Sequence, residues 1–554
     1  MKKDAWMGRV GLSLLVSYGT LAGCESSEDT RRPAPDAALT DGSLTDASLT
    51  DASLADVTDA GGTEETIATD KGPVTGTVAN GIRSFLGIPY AAAPVDALRW
   101  KAPTEVRWTS PRAAKAFGPR CFGVSLLDPN TLRSGASEDC LSLNIASPVG
   151  ASAKPVLVWL HGGGFIDGRG DDYPGAALAS AGDIVVVTLN YRLGVLGTLG
   201  IPSADGGGNL GLLDQRFALE WIHRNIAAFG GDPAKITLAG QSAGAQAACT
   251  HAAMPGSRGL LSAILMESGS CDWVQTADQA AASANTVAKK LGCAGTGDAG
   301  TIDEACLRAL PAETLLRGDR TVVYPIVDGK LLPVAPRAAL AAGTFAKVPI
   351  LAGFNANEGY FMVDGLYGAL PLTSATDYEN ALNLLFGQLG PILRDQYPLA
   401  SYGNDPRVAL AAVLGDGLFE CSTRHLVASS TSPAFTYVFR HAPSLATPKP
   451  VSAMHSVELP FIWGTPLPWT WWAQENAGVP STSRELELAG QMKGYWRNFV
   501  RTGNPSPEPT REPLWSAWSP STNDAMNFAG DATAIAPLAA NPHCQLWDVV
   551  YGPH

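Results

Sequence analysis

Residues 236–248 read ITLAGQSAGAQAA, a β-branched apolar run that breaks into Gly240-x-Ser242-x-Gly244 and then into alanines. The run predicts a strand and the alanines a helix, so Ser242 falls on the turn between them. So sharp a reversal forces the central side chain outward. Glycines on either side remove Cβ atoms that would collide with neighbouring elements. The protruding hydroxyl would also sit at a helix N-terminus, where free N–H groups and the helix dipole favour developing negative charge. In a 554-residue chain with 59 glycines this spacing alone is weak evidence. Its strand–turn–helix setting makes it specific.

On either side of the elbow lie short, nearly continuous apolar runs: PVLVWLH (155–161), DIVVVTLNY (183–191), SAILMES (262–268), VPILAGF (348–354) and AFTYVFR (434–440). Strands buried on both faces read this way, as in parallel sheets. Helical patterns such as LLDQRFALEWIHRNIAAF (212–229) separate several of them. The alternation predicts an α/β fold with a mostly parallel, doubly wound central sheet. Residues 275–345 and much of 360–430 read as helical insertions over the carboxyl edge of that sheet, where open α/β sheets bind ligands. GPVTGTVANGIRSFLGIPYA (72–91) predicts a small antiparallel element ahead of the main sheet, and 465–480 and 504–525 read as Pro- and Trp-rich loops.

The N-terminus reads as an address. Lys2, Lys3 and Arg9 precede a short apolar stretch that ends in Leu21-Ala22-Gly23-Cys24. This resembles a bacterial lipobox, with Cys24 as the lipidated residue of the mature chain. Glu25 rather than Asp follows it, which favours the outer membrane or cell surface over inner-membrane retention. A degenerate five-residue Leu-Thr-Asp-Ala/Gly-Ser repeat comes next. Its aspartates repel and its small side chains bury little, so residues 25–70 are expected to form a disordered acidic tether. The boundaries are then 1–24 leader, 25–70 tether and 71–554 catalytic domain. The formal charge of −13 resolves accordingly: residues 25–70 carry −10 and residues 1–24 carry +2, leaving −5 on 71–554. No basic stripe exists to neutralise phosphates, which argues against nucleic-acid binding. Membrane contact is expected only through the lipid at Cys24, and the protein is expected to be exported, anchored or otherwise secreted. Setting Cys24 aside leaves eight cysteines, an even number suited to an oxidising compartment.

A nucleophilic serine needs a base and an oxyanion hole. WLHGGGF (159–165) follows an apolar strand with three glycines whose N–H groups can approach a substrate oxygen. Gly163 and Gly164, with Ala243 after the serine, would supply the donors. Among eight histidines, His455 in VSAMHSVELPFIWG lies on a loop after the strand at 434–440. Glu358 in VPILAGFNANEGYF lies on a loop after an earlier strand. Together they satisfy the order Ser, acid, His. From the residues alone, an ordinary loop histidine and a solvated loop glutamate remain alternatives. No metal and no organic cofactor is implied.

FLGIPYAAAP (85–94), LRWKAP (98–103), SEDCLSLNI (137–145), VLVWLHGGGF (156–165), LNYRLGVLG (189–197), the elbow segment 208–245 and HSVELPFIWG (455–464) add up to a family resemblance. Over about residues 71–550 the chain resembles the type-B carboxylesterase/lipase family, the α/β-hydrolase branch of cholinesterases and para-nitrobenzyl esterases. The resemblance implies Ser242 as nucleophile, Glu358 as acid, His455 as base, and Gly163, Gly164 and Ala243 as oxyanion hole. It implies a serine carboxylesterase that turns over small to medium esters through an acyl-enzyme. A non-catalytic binding protein on the same fold, or an amidase or lipase with the same residues, are the alternatives. Arg99 with Glu138 and Arg192 with Asp214 carry over as ion pairs. Cys121 with Cys140, Cys293 with Cys306 and Cys421 with Cys544 carry over as disulfides. Cys249 and Cys271 are left over, either bridged or as buried thiols. Phe165 and Trp463, next to the implied site elements, are candidate substrate contacts; Trp469, Trp471 and Trp472 more simply pack a long loop. One departure is Gln241, where many members carry Glu.

Overall fold

The computed structural model describes residues 62–552 apart from 127–130, 296–300, 318–323, 367–369, 444–451, 467–478, 508–512 and 531. Cys24, the leader and the repeat to residue 61 lie outside the described residues, as do Trp469, Trp471 and Trp472.

The apolar runs become the spine of a 13-stranded sheet. Its main strands are β1 (Thr63–Thr69), β2 (Gly72–Ala79), β3 (Ile82–Pro89), β4 (Ser142–Pro148), β5 (Lys154–Leu160), β6 (Val185–Leu189), β7 (Gly231–Gln241), β8 (Ala263–Glu267), β9 (Ile350–Asn355), β10 (Ala434–Phe439), β11 (Asp524–Phe528) and β12 (Thr533–Pro537). Side by side they run β1-β2-β3-β4-β6-β5-β7-β8-β9-β10-β11-β12, with Arg112–Ala113 beside β2. Neighbours from β6 through β11 are parallel. The strands on the amino-terminal side and the β11–β12 edge are antiparallel. Both faces are covered. On β5, Val156, Val158 and Leu160 enter one apolar core while Leu157 and Trp159 enter the other, the alternation a strand's pleat imposes.

The folded domain begins earlier than residue 71. β1 falls within the stretch read as tether, yet pairs with β2 from Thr63↔Val78 to Thr69↔Gly72. Its only buried side chain is Ile67. An acidic, mostly solvated edge strand has the composition of a tether, and only its partner reveals it. β11 was likewise hidden at the end of a loop-like stretch, although Ala525, Met526 and Phe528 are fully buried. Its five residues are too short for a periodic signal.

Helices α1 (Leu210–Asn225), α2 (Ala243–Ala253) and α3 (Ser483–Thr502) flank the sheet. Every residue of α2 is buried, and its small side chains let it lie close to the strands. α3 starts in a capping box between Thr482 and Glu485 and buries Leu488, Met492, Tyr495, Trp496 and Phe499 on the other face. Helices span Ala277–Lys290, Glu304–Ala309, Ala312–Arg317 and Pro336–Ala341 between β8 and β9, and occupy most of 375–429 between β9 and β10. Gln275–Thr276 and Ile326–Val327 add a small parallel pair outside the main sheet. Four disulfides close: Cys121–Cys140, Cys249–Cys271, Cys293–Cys306 and Cys421–Cys544. The residual pair, Cys249 with Cys271, is therefore bridged. Arg99 and Glu138 form a bidentate pair at 2.8 and 2.6 Å, and Arg192 and Asp214 another at 2.8 and 2.7 Å. The second pair is buried, so removing one partner would cost about 3–5 kcal/mol.

Candidate active site

From Ile236 to Met254 every residue is buried except Ser242. The serine stands at φ +55°, ψ −125°, a region that costs a non-glycine residue about 1–3 kcal/mol. The surroundings enforce it: Ser242 N–H donates to Glu267 O at 2.9 Å, and Gln246 N–H donates to Ser242 O at 3.0 Å. A Cβ on Gly240 would lie 2.4 Å from the Gly244 carbonyl carbon, and one on Gly244 only 2.0 Å from Leu160 O. β5, β7 and α2 meet at backbone distance, so both glycines are steric requirements.

The loop after β5 folds back against this elbow. A Cβ on Gly162 would sit 2.9 Å from Gln241 O and 3.2 Å from Ser242 Cβ. Gly163 and Gly164 take φ +105° and +63°, and Phe165 takes +59°. Ile166 and Asp167 N–H both donate to Gly163 O at 3.0 Å, which closes the turn. Among the described residues nothing accepts from the N–H of Gly163 or Gly164. His161, in the same loop, is not placed to act as base. It stacks on Tyr191 at 4.3 Å, and its Nδ1 bonds Gly162 O at 2.8 Å. Burial lowers its pKa to about 4.

The acid and base meet. His455 Nδ1 lies 2.7 Å from Glu358 Oε2, while Glu358 Oε1 accepts the Asn355 N–H at 2.7 Å. A carboxylate at Nδ1 puts the proton there and leaves Nε2 with its lone pair. That lone pair receives Gln241 Nε2 at 3.2 Å; the same amide donates to Ser456 Oγ at 2.8 Å. The nitrogen is thus engaged by the residue immediately before Ser242. Among the described residues no hydrogen bond joins Ser242 Oγ to His455. Such links in a ligand-free site tighten when substrate arrives.

Aromatic rings wall the imidazole. Phe419 lies 4.7 Å and Phe361 5.6 Å from it, and Trp273 lies 5.3 Å from Phe419. No motif marks Phe419 or Trp273, which belong to a helical insertion and to the segment after β8. Behind the imidazole sit two further carboxyls. Burial pushes Glu267 up to about 8. Burial, and then the proximity of Glu267 and Glu358, holds Glu458 well above the carboxylate range. Trp496 Nε1 donates to Glu267 at 2.6 Å, and Asn355 Nδ2 donates to Glu458. Both shifts favour the neutral forms and so weaken the negative charge this pair sets beside Glu358.

Phe165 is buried next to Gly164, and its carbonyl accepts the Gly194 N–H at 2.7 Å. Trp463 lies deeper than Phe165. It is 2 % exposed and packs its ring between Trp159 (5.0 Å) and Tyr173 (5.2 Å) in the core. It ends the short helix Leu459–Trp463, whose five residues are all buried.

A doubly wound sheet that thrusts out a serine at a strand–helix elbow, with a Glu–His pair and a glycine loop beside it, defines an α/β-hydrolase fold. Residues 63–547 match the model of the carboxylesterase family. The chain is 31% identical to an acetylcholinesterase of Bungarus fasciatus over 88% of its length and 86% of the relative's. It is 32% identical to a cholinesterase of Mus musculus over 88% and 87%. Among solved structures it is similar to a PNB esterase (TM-score 0.72, 32% identity) and a thermophilic PNB esterase (0.73, 31%), covering 88% of this chain and 100% of each. The chain belongs to the carboxylesterase family, in its type-B branch, and is a carboxylic ester hydrolase.

Proposed function

We propose that the protein hydrolyses small to medium carboxylic esters through an acyl-enzyme on Ser242. The 2.7 Å bond from Glu358 to His455 Nδ1 carries the reading, because it leaves Nε2 a base facing the elbow. Ser242 Oγ attacks the ester carbonyl as His455 Nε2 takes its proton, and Glu358 stabilises the imidazolium. Charge gathers on the carbonyl oxygen, where the N–H groups of Gly163, Gly164 and Ala243 receive it; each such donor contributes roughly 3 kcal/mol to lowering the barrier. His455 then protonates the leaving alcohol and activates water to release the acid. The wall of Phe419 and Trp273 supports an apolar or aryl acyl group, which offset ring packing would hold. The disulfides support export, with Cys24 as the anchored end of an acidic tether at the outer membrane or cell surface. Ser242→Ala is expected to cut hydrolysis of p-nitrophenyl esters to the small remnant left by binding and the oxyanion hole. The mass added by an organophosphonate to the parent should be absent from the variant. Full turnover in Ser242→Ala refutes the assignment.

A further inference from the structure

We infer that Asp167 is a positioning residue for the oxyanion hole, locking the Gly163–Gly164 turn to the disulfide-closed segment 121–140; this rests on the oxyanion role proposed above. The turn itself is fragile. Gly163, Gly164 and Phe165 all take positive φ, and among the described residues its internal backbone bonds are the two that converge on Gly163 O. Asp167 ends it. Its N–H makes one of those two bonds, and its carbonyl oxygen stands 2.3 Å from where a Gly163 Cβ would be. The backbone of Asp167 therefore lies against the residue whose N–H must point at substrate.

The side chain holds that backbone in place. The carboxylate is 2 % exposed and meets donors from three directions. Arg120 NH2 lies at 3.2 Å from Oδ1, and Arg133 straddles both oxygens through Nε at 3.1 and 3.0 Å and also through NH2. The N–H of Leu126 donates at 3.1 Å, and that of Gly168 at 2.8 Å. Arg120, Leu126 and Arg133 lie in or beside the segment closed by Cys121–Cys140. The same segment bonds the loop backbone, Val124 N–H donating to Ile166 O at 3.0 Å. A carboxylate held by two guanidinium groups and two amides cannot shift without breaking several charge-assisted bonds together.

Electrostatics and positioning make opposite predictions here. A negative charge behind an oxyanion hole opposes the charge that develops in it, so removing the charge alone would speed the reaction. Removing the lock would slow it. Asp167→Asn keeps size and shape but replaces one acceptor oxygen with a donor facing Arg120 and Arg133. The positioning role predicts a 10- to 100-fold loss in kcat with KM within about twofold, a fraction of what one whole donor contributes. Binding of an alkyl trifluoromethyl ketone, which forms a tetrahedral oxyanion on Ser242, should weaken by the same factor as kcat/KM. Competition by the corresponding secondary alcohol should not change. Arg133→Gln, which leaves Arg120 and both amides on Asp167, should give a smaller loss of the same kind, and it decides the matter if Asp167→Asn does not fold. Unchanged or raised kcat per phosphonate-titrated site, or a loss confined to KM or to thermal stability, overturns the inference. If the unmodified enzyme bound the ketone no tighter than the alcohol, the oxyanion hole itself would fall and this inference with it. That result is visible before any variant is made.

Discussion

Gly244→Ala tests whether the elbow depends on the close approach of three backbones. The new Cβ would lie 2.0 Å from Leu160 O, 2.7 Å from Leu160 C and 2.8 Å from His161 O, against ordinary contact from 3.4 Å outward. All three are main-chain atoms, so relief needs a backbone shift of roughly 1.4 Å, shared between α2 and the end of β5. Neither can move freely of the chemistry. α2 carries Ser242 at its start, and Leu160–His161 lead straight into Gly163 and Gly164, so either movement changes the distance from nucleophile to oxyanion donors. A misplacement of 1 Å costs about 100-fold in rate, which is about 2.7 kcal/mol of barrier. Overpacking costs a further 1–3 kcal/mol, roughly, in stability. The assay is kcat/KM on p-nitrophenyl butyrate with the urea midpoint measured in parallel. Gly259→Ala, whose Cβ meets nothing within 4 Å, serves as control and should change neither by more than about 0.5 kcal/mol. A Gly244→Ala enzyme within threefold of the parent would show that the elbow absorbs the methyl, and the steric reading of both glycines would fail.

Gln241→Glu puts a carboxylate where an amide now reaches His455 Nε2 at 3.2 Å; the ratio of kcat/KM for a choline ester over its uncharged 3,3-dimethylbutyl counterpart should rise about tenfold. An unmoved ratio would refute the contact. Glu267, pushed up to about 8 from 4.5 by burial, binds its proton more tightly folded than unfolded. Its share of stability therefore falls as pH rises between those values. Glu267→Gln should gain on the parent between pH 5 and pH 8.5 in urea midpoint, and parallel curves would contradict the assignment. Replacing Cys249 and Cys271 by Ala opens a loop of 22 residues and should cost about 3 kcal/mol, read from the urea midpoint of the double variant; no change there would mean the bridge adds no constraint.

The Ser242 elbow, the glycine loop and the strand–helix alternation were legible because each is a local demand on the backbone. Positive φ at Gly163 and the missing Cβ at Gly244 are conditions that almost one residue type alone meets, so residue identity announces them. Glu358 and His455 were legible only through chain order and resemblance, since a loop carboxylate and a loop imidazole carry no periodic signal. β1 carries no such mark, because an edge strand with one buried side chain shares the composition of a solvated linker.

By itself, then, the sequence determined where the chain reverses, which glycines permit it, and that buried parallel strands end beside a serine. Tertiary structure alone decided what surrounds that serine: Gln241 on His455, Asp167 between Arg120 and Arg133, Phe419 and Phe361 against the imidazole, and Trp463 packed in the core. Backbone geometry is imposed on single residues and leaves its mark in their identity. A contact between side chains 40 or more residues apart, such as Arg120 with Asp167, is set by how the layers pack and leaves no mark in either neighbourhood of the chain.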